Sequence, residues 1–190
     1  MSRYYYFAAT LPSLAFSAQP PMKGAEFLER CRIHLTEGDF SVVSSARLLS
    51  KTDLPASPEP QGFLDGYYAW ERSVRNALAI LRAHRLGKSG DRWLRPAGRS
   101  DDAARAASAV FQASTPLEGE IALERERWAF IDGASANSVF ELDSIIAYSL
   151  KIQILERLSG LVPEKGEAGY REACAAILGG AENSDSRGVR

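Results

Sequence analysis

Apolar residues recur along this chain at three- and four-residue steps between proline and glycine breaks, and that period predicts helices. From Gly24, the residues Phe27, Leu28, Cys31 and Leu35 follow at helical spacing. Thr36-Glu37-Gly38-Asp39 resembles a capping box, and the short helix behind it carries Phe40, Val43 and Leu48. Residues 63–86 put Tyr67, Trp70, Val74, Leu78 and Leu81 on one face, with Arg72, Arg75, Arg82 and Arg85 mostly away from it. Gly87 suits the C-terminal cap of that helix. Ser100-Asp101-Asp102 opens an alanine-rich helix to about Ala113, its two acids favoured by the amino-terminal dipole. Thr115-Pro116 starts another helix with Leu117, Ile121, Trp128 and Ile131 as its stripe, ending at Gly133-Ala134-Ser135. Asn137 or Ser138 is the expected cap of the most apolar helix. Its Val139, Leu142, Ile145, Ile146, Leu150, Ile152, Ile154, Leu155 and Leu158 cover more than one face. Such a helix belongs in the middle of a bundle or against a partner. A last helix carries Tyr170, Ala173, Cys174, Ile177 and Leu178.

The expected fold class is therefore all-α: six to seven helices in a single bundle-like domain over residues 1–180. Residues 4–11, rich in Tyr and Phe, fit a strand or a helix equally. Pro55, Pro58 and Pro60 make residues 51–62 a loop, and 87–100 reads as a basic loop. The small, charged stretch 181–190 is expected to be disordered.

Composition narrows the class without naming a function. The chain has 190 residues, 45% hydrophobic and 25% charged, with a formal net charge of −1. That balance excludes a histone-like coat of nucleic acid. Cys31 and Cys174 lie too far apart for a disulfide framework or a cysteine zinc module. The opening apolar run is interrupted by Tyr4, Tyr5, Tyr6 and Pro12, unlike the core of a secretory signal. No stretch approaches the ~18 apolar residues of a membrane span. The expected location is the cytoplasm, peripheral at most on the inner face of the cell membrane.

Candidate chemistry is sparse. Gly87-Lys88-Ser89 resembles the end of a phosphate-binding loop, but position 83 is Ala83 where a glycine is needed, and a helix leads in. His34 and His84 stand in different helices, and no Glu-x-x-His pair exists. Glu118, Glu120, Glu124 and Glu126 interleave with Arg125 and Arg127, which reads as a solvated helix face. No catalytic, cofactor-binding or metal-binding residue is assigned, and the chain is read as a non-enzyme. Glu71 and Arg75 stand one turn apart and suit an intrahelical ion pair. Asn76 stands at the edge of the apolar stripe, where it could bond a neighbouring backbone.

Charge is unevenly distributed. Residues 70–99 hold eight basic and two acidic groups, whereas 100–190 hold nine basic and fifteen acidic ones. The two regions either pair within the fold or leave a basic surface for an acidic partner protein or nucleic acid. Nucleic acid is the weaker branch: of the aromatic residues there, Trp70 belongs to the core stripe and only Trp93 is free to stack on a base.

Two helical stretches carry a resemblance: Tyr68-Ala69-Trp70-Glu71-Arg72-Ser73-Val74-Arg75-Asn76-Ala77-Leu78-Ala79-Ile80-Leu81-Arg82 and Ser138-Val139-Phe140-Glu141-Leu142-Asp143-Ser144-Ile145-Ile146-Ala147-Tyr148-Ser149-Leu150-Lys151-Ile152-Gln153-Ile154-Leu155-Glu156-Arg157. With Tyr4-Tyr5-Tyr6-Phe7-Ala8-Ala9-Thr10-Leu11-Pro12, they resemble an uncharacterised bacterial family whose genes tend to sit beside those of V/A-type ATPases. More faintly, they resemble the C subunit of those ATPases (called d in eukaryotes), an all-helical funnel between central stalk and rotor ring. That funnel has three such lobes and is much longer. The resemblance implies an accessory or C-subunit-like component with V/A-type ATPase subunits as partners, no cofactor and no small-molecule substrate. Together with the basic segment it marks Arg92, Trp93 and Arg95 as contact residues, and Glu71, Arg75 and Asn76 as structural polar residues. The alternative is a nucleic-acid-binding protein using Arg72, Arg75, Arg82, Arg85 and the loop to Arg99.

Overall fold

A computed structural model describes residues 4–49, 62–97, 100–161, 166–167, 169–175 and 177. Among them the fold is all-α, with α1 (Tyr5–Ala9), α2 (Gly24–His34), α3 (Glu37–Ser45), α4 (Phe63–Arg85), α5 (Asp101–Phe111), α6 (Pro116–Ser135) and α7 (Leu142–Gly160), plus a 3-10 turn at Asp91–Trp93. The aromatic N-terminal segment is thus helical. Most of the proline-rich loop and all of the 181–190 tail lie outside the described residues.

Capping side chains set several boundaries. The hydroxyls of Thr36, Ser100 and Thr115 accept from the backbone N–H groups of Asp39, Ala103 and Glu118. Each satisfies one amide that a helix start leaves unpaired. Gly87 ends α4 at a φ of +64°, where a β-carbon would be strained. The start of α7 differs from expectation. Asn137 and Ser138 do not cap it, because Phe140 takes a left-handed φ of +66° and breaks the helix there. Val139 is consequently outside the helix and exposed. Leu48 likewise falls beyond α3, yet it is buried. Its carbonyl accepts from the Tyr67 hydroxyl at 3.0 Å, and its N–H donates to Gln153 Oε1 at 3.2 Å.

The chain forms two compact units, 1–158 and 159–190. In the first, α4 packs on α5 and α6, and α2 on α3. Its core contains Tyr67, Trp70, Val74 and Leu78 from α4, Phe27 and Cys31 from α2, and Ala103, Ala106 and Ala107 from α5. Helix α7 buries Ile145, Ile146, Leu150, Ile152, Ile154 and Leu155, residues that point around most of its circumference. Burial pushes the Cys31 thiol up to about 12, so it is inert packing material rather than a nucleophile. In the second unit residues 169–175 are helical, and Tyr170 and Ile177 are exposed. No helix among the described residues is long and apolar enough to cross a membrane.

Candidate functional site

The long helix α4 carries two different polar systems on different faces. The first is buried. Arg127 of α6 donates from Nη2 to Glu71 Oε1 and from Nη1 to Glu124 Oε1, both at 2.7 Å. Arg75 Nε reaches the second oxygen of Glu71 at 2.7 Å. Arg157 of α7 bonds Glu124 Oε1 at 2.8 Å and Glu120 at 2.6 Å. The result is one alternating chain, Arg75–Glu71–Arg127–Glu124–Arg157–Glu120, that ties α4, α6 and α7 together. Its middle is dry: Glu124 is 0% exposed. Burial pushes the Glu124 carboxyl above its ordinary range, and the arginines 127 and 157 pull the other way. Glu124 Oε2 and Arg127 Nε have no partner among the described residues.

This corrects the reading of α6 as a solvated acidic face. Glu124 and Arg127 share a helix face with Trp128 and Ile131, at steps of three and four, so their charges enter the interior with the apolar stripe. Leu117, expected in that stripe, is exposed instead. The missed signal was this spacing: 124-127-128-131 mirrors 67-70-71-74 in α4, where Glu71 also sits inside the stripe. Glu71 and Arg75 do pair one turn apart, and Glu71 holds Arg127 as well.

The second system is exposed. After Gly87 the chain turns and runs back along α4. Gly90 lies against Ile80, where a β-carbon would come within 3.1 Å of the Ile80 Cα. The Asn76 side-chain amide donates to the Arg95 carbonyl at 2.7 Å, and its oxygen accepts from the Arg95 N–H at 3.0 Å. Arg72 donates to the Pro96 carbonyl at 3.2 Å. Residues 72, 76 and 80 are successive turns of one helix face, so the basic loop is fastened along a single α4 stripe.

That fastening fixes what the loop presents. Trp93 is 61% exposed, and the Arg92 guanidinium lies 4.4 Å from its ring centroid. Arg95, held by its backbone, is also exposed. Arg72 and Arg75 are engaged within the fold. Arg82, Arg85, Lys88 and Arg92 are exposed, and among the described residues no acid pairs with any of them. Asp91, the one acid in the loop, accepts from the Ser89 hydroxyl at 2.6 Å. Arg99 lies outside the described residues.

Fold and site define an all-α protein with a buried ionic tie and a rigidly mounted basic, aromatic face. Residues 107–181 match the model of a family described as a protein of unknown function (DUF2764). That stretch holds Glu120, Glu124, Arg127 and Arg157, four links of the ionic chain. The match agrees with the resemblance to an uncharacterised family, and its description names no ATPase. No curated protein and no solved structure matches.

Proposed function

We propose that this chain is a non-enzymatic interaction protein that docks on a V/A-type ATPase, as an accessory or C-subunit-like component. The observation that supports docking is the set of four exposed cations, Arg82, Arg85, Lys88 and Arg92, with no acid paired to any of them among the described residues, together with the exposed Trp93. Elsewhere in the fold Arg30, Arg105, Arg127, Lys151 and Arg157 each have a carboxylate partner, and exposed Lys23, Arg32 and Arg125 stand singly without one among the described residues. A cluster without one favours an acidic surface on another molecule. Tryptophan and arginine are the side chains that most often dominate an interface. The Asn76 and Arg72 bonds order the loop beforehand, so binding loses little conformational entropy. The V/A-type ATPase as partner rests on the resemblance of the helical stretches. The mechanism is mechanical: a stiff helical body holds two rotor parts in register through charge and apolar contact.

The alternative is a nucleic-acid binder: Trp93 has Arg92 over one ring face and is 61% exposed, so a base can stack on it. The full-length chain, immobilised and exposed at low salt to membranes containing a V/A-type ATPase, is expected to capture subunits identifiable by mass spectrometry. Trp93→Ala is expected to lose that capture while keeping wild-type helicity and melting. Recovery of no ATPase subunit would contradict the reading.

A further inference from the structure

Resting on the docking reading, we propose that the cleft between the carboxyl end of α4 and the α5–α6 connection receives an acidic partner segment carrying a bulky apolar side chain. The cleft has a volume of about 540 Å³, within the range of about 300–1,000 Å³ usual for ligand pockets. Its floor is apolar, from Leu78, Val110, Phe111 and Leu123. Arg82 and Arg85 stand at its rim with exposed Leu86. The Arg85 guanidinium lies 5.8 Å from the Phe111 ring centroid, and among the described residues no acid pairs with it. The one acid in the lining is Glu120, whose carboxylate is engaged by Arg157 at 2.6 Å. The cleft is therefore cationic at the rim and greasy beneath.

That combination selects its occupant. A phosphate chain would satisfy the two arginines and leave the floor uncovered. A polypeptide segment with a carboxylate one helical turn from a leucine or phenylalanine meets both requirements at once. The loop carrying Trp93 begins at the same end of α4 but runs along the 72-76-80 stripe, a different helix face from the one that lines the cleft.

The test uses fluorescence anisotropy on the full chain with two labelled helical peptides. One is built of Glu and Leu with leucines at three- and four-residue steps; in the other every Glu is Gln. The Glu peptide is expected to bind, and the Gln peptide about tenfold or more weaker. Arg82→Gln with Arg85→Gln is expected to cost about tenfold. Gly119→Leu, which fills the cleft from α6, is expected to abolish binding; the double arginine variant does not depend on how that filled cleft folds. Trp93→Ala is expected to retain peptide binding. Equal binding of the two peptides, no binding of the Glu peptide, or an unaffected double arginine variant would overturn the cleft assignment. So would a single-stranded oligonucleotide that binds tighter than the Glu peptide. Capture of ATPase subunits without peptide binding would remove the cleft alone, and peptide binding without capture would remove the ATPase reading alone.

Discussion

Arg127→Met is expected to lower the unfolding free energy by about 3–5 kcal/mol, the usual cost of leaving one half of a buried ion pair uncompensated. Arg127 is the joint of the ionic chain: its two terminal nitrogens hold Glu71 and Glu124, both buried. Methionine replaces the aliphatic stem and fills much of the volume, so the loss reports charge and not a cavity. The variant also acquires a pH signature. Burial already holds the Glu124 carboxyl above its ordinary range, and Arg127 is the strongest influence pulling it down. Removing that influence raises it further. A carboxyl raised in the folded state binds its proton more tightly there than in the unfolded chain, so its contribution to stability falls as pH rises. The deficit of Arg127→Met against wild type is therefore expected to shrink as pH drops from neutral toward about 4–5. Urea unfolding of both proteins across that range measures it. A second variant, with Glu71→Leu and Glu124→Leu added to Arg127→Met, is expected to recover most of the loss, because dry ion pairs are often replaceable by packed apolar groups. A deficit below about 1 kcal/mol, or one that grows on acidification, would mean that the ionic chain is solvated.

Leu150→Ala is expected to cost about 2–5 kcal/mol, with the folded architecture retained. Leu150 is fully buried in α7, between the faces that meet the rest of the core. Truncation removes apolar contact and leaves a cavity that close-packed neighbours cannot refill. The same substitution at exposed Leu86 is expected to change stability by about 0.5 kcal/mol or less. Thermal and urea unfolding of the two variants separate these cases. Equal losses would mean that Leu150 is not packed into the core.

The fold was legible where one residue decides a backbone state. Thr36, Ser100 and Thr115 announce helix starts because a short hydroxyl can reach an unpaired amide, and Gly87 announces a stop because its φ is positive. The start of α7 was not legible. The polar Asn137 and Ser138 look like caps, but the break is made by Phe140, a bulky residue in a conformation it rarely adopts. Tertiary contact sets that turn: the Phe140 carbonyl accepts from the Tyr4 N–H at 3.2 Å, and its ring meets that of Tyr5. Such a partner, more than a hundred residues away in sequence, leaves no local mark.

The two polar systems differ in the same way. Asn76 and the loop to Pro96 are close in sequence, so an amide at the edge of the α4 stripe already hinted at its backbone partner. Arg127 reaches Glu71 across 56 positions. Alternating acids and bases in α6 are the usual mark of a solvated face, and only the register of Glu124 and Arg127 with Trp128 and Ile131 says otherwise. Charge counting found the basic segment but could not say which acids face it. In the structure Arg72 and Arg75 are engaged within the fold, while the cations from Arg82 to Arg92 point to solvent.

Docking through this face requires that those last cations have no internal partner. The decisive measurement is the unfolding free energy, in low salt, of a chain in which Arg82, Arg85, Lys88 and Arg92 are all replaced by glutamine. A change within about 1 kcal/mol of wild type is predicted, as for unpaired surface charge. A loss of about 3 kcal/mol or more, comparable with breaking a buried pair, would mean that these charges hold the fold together.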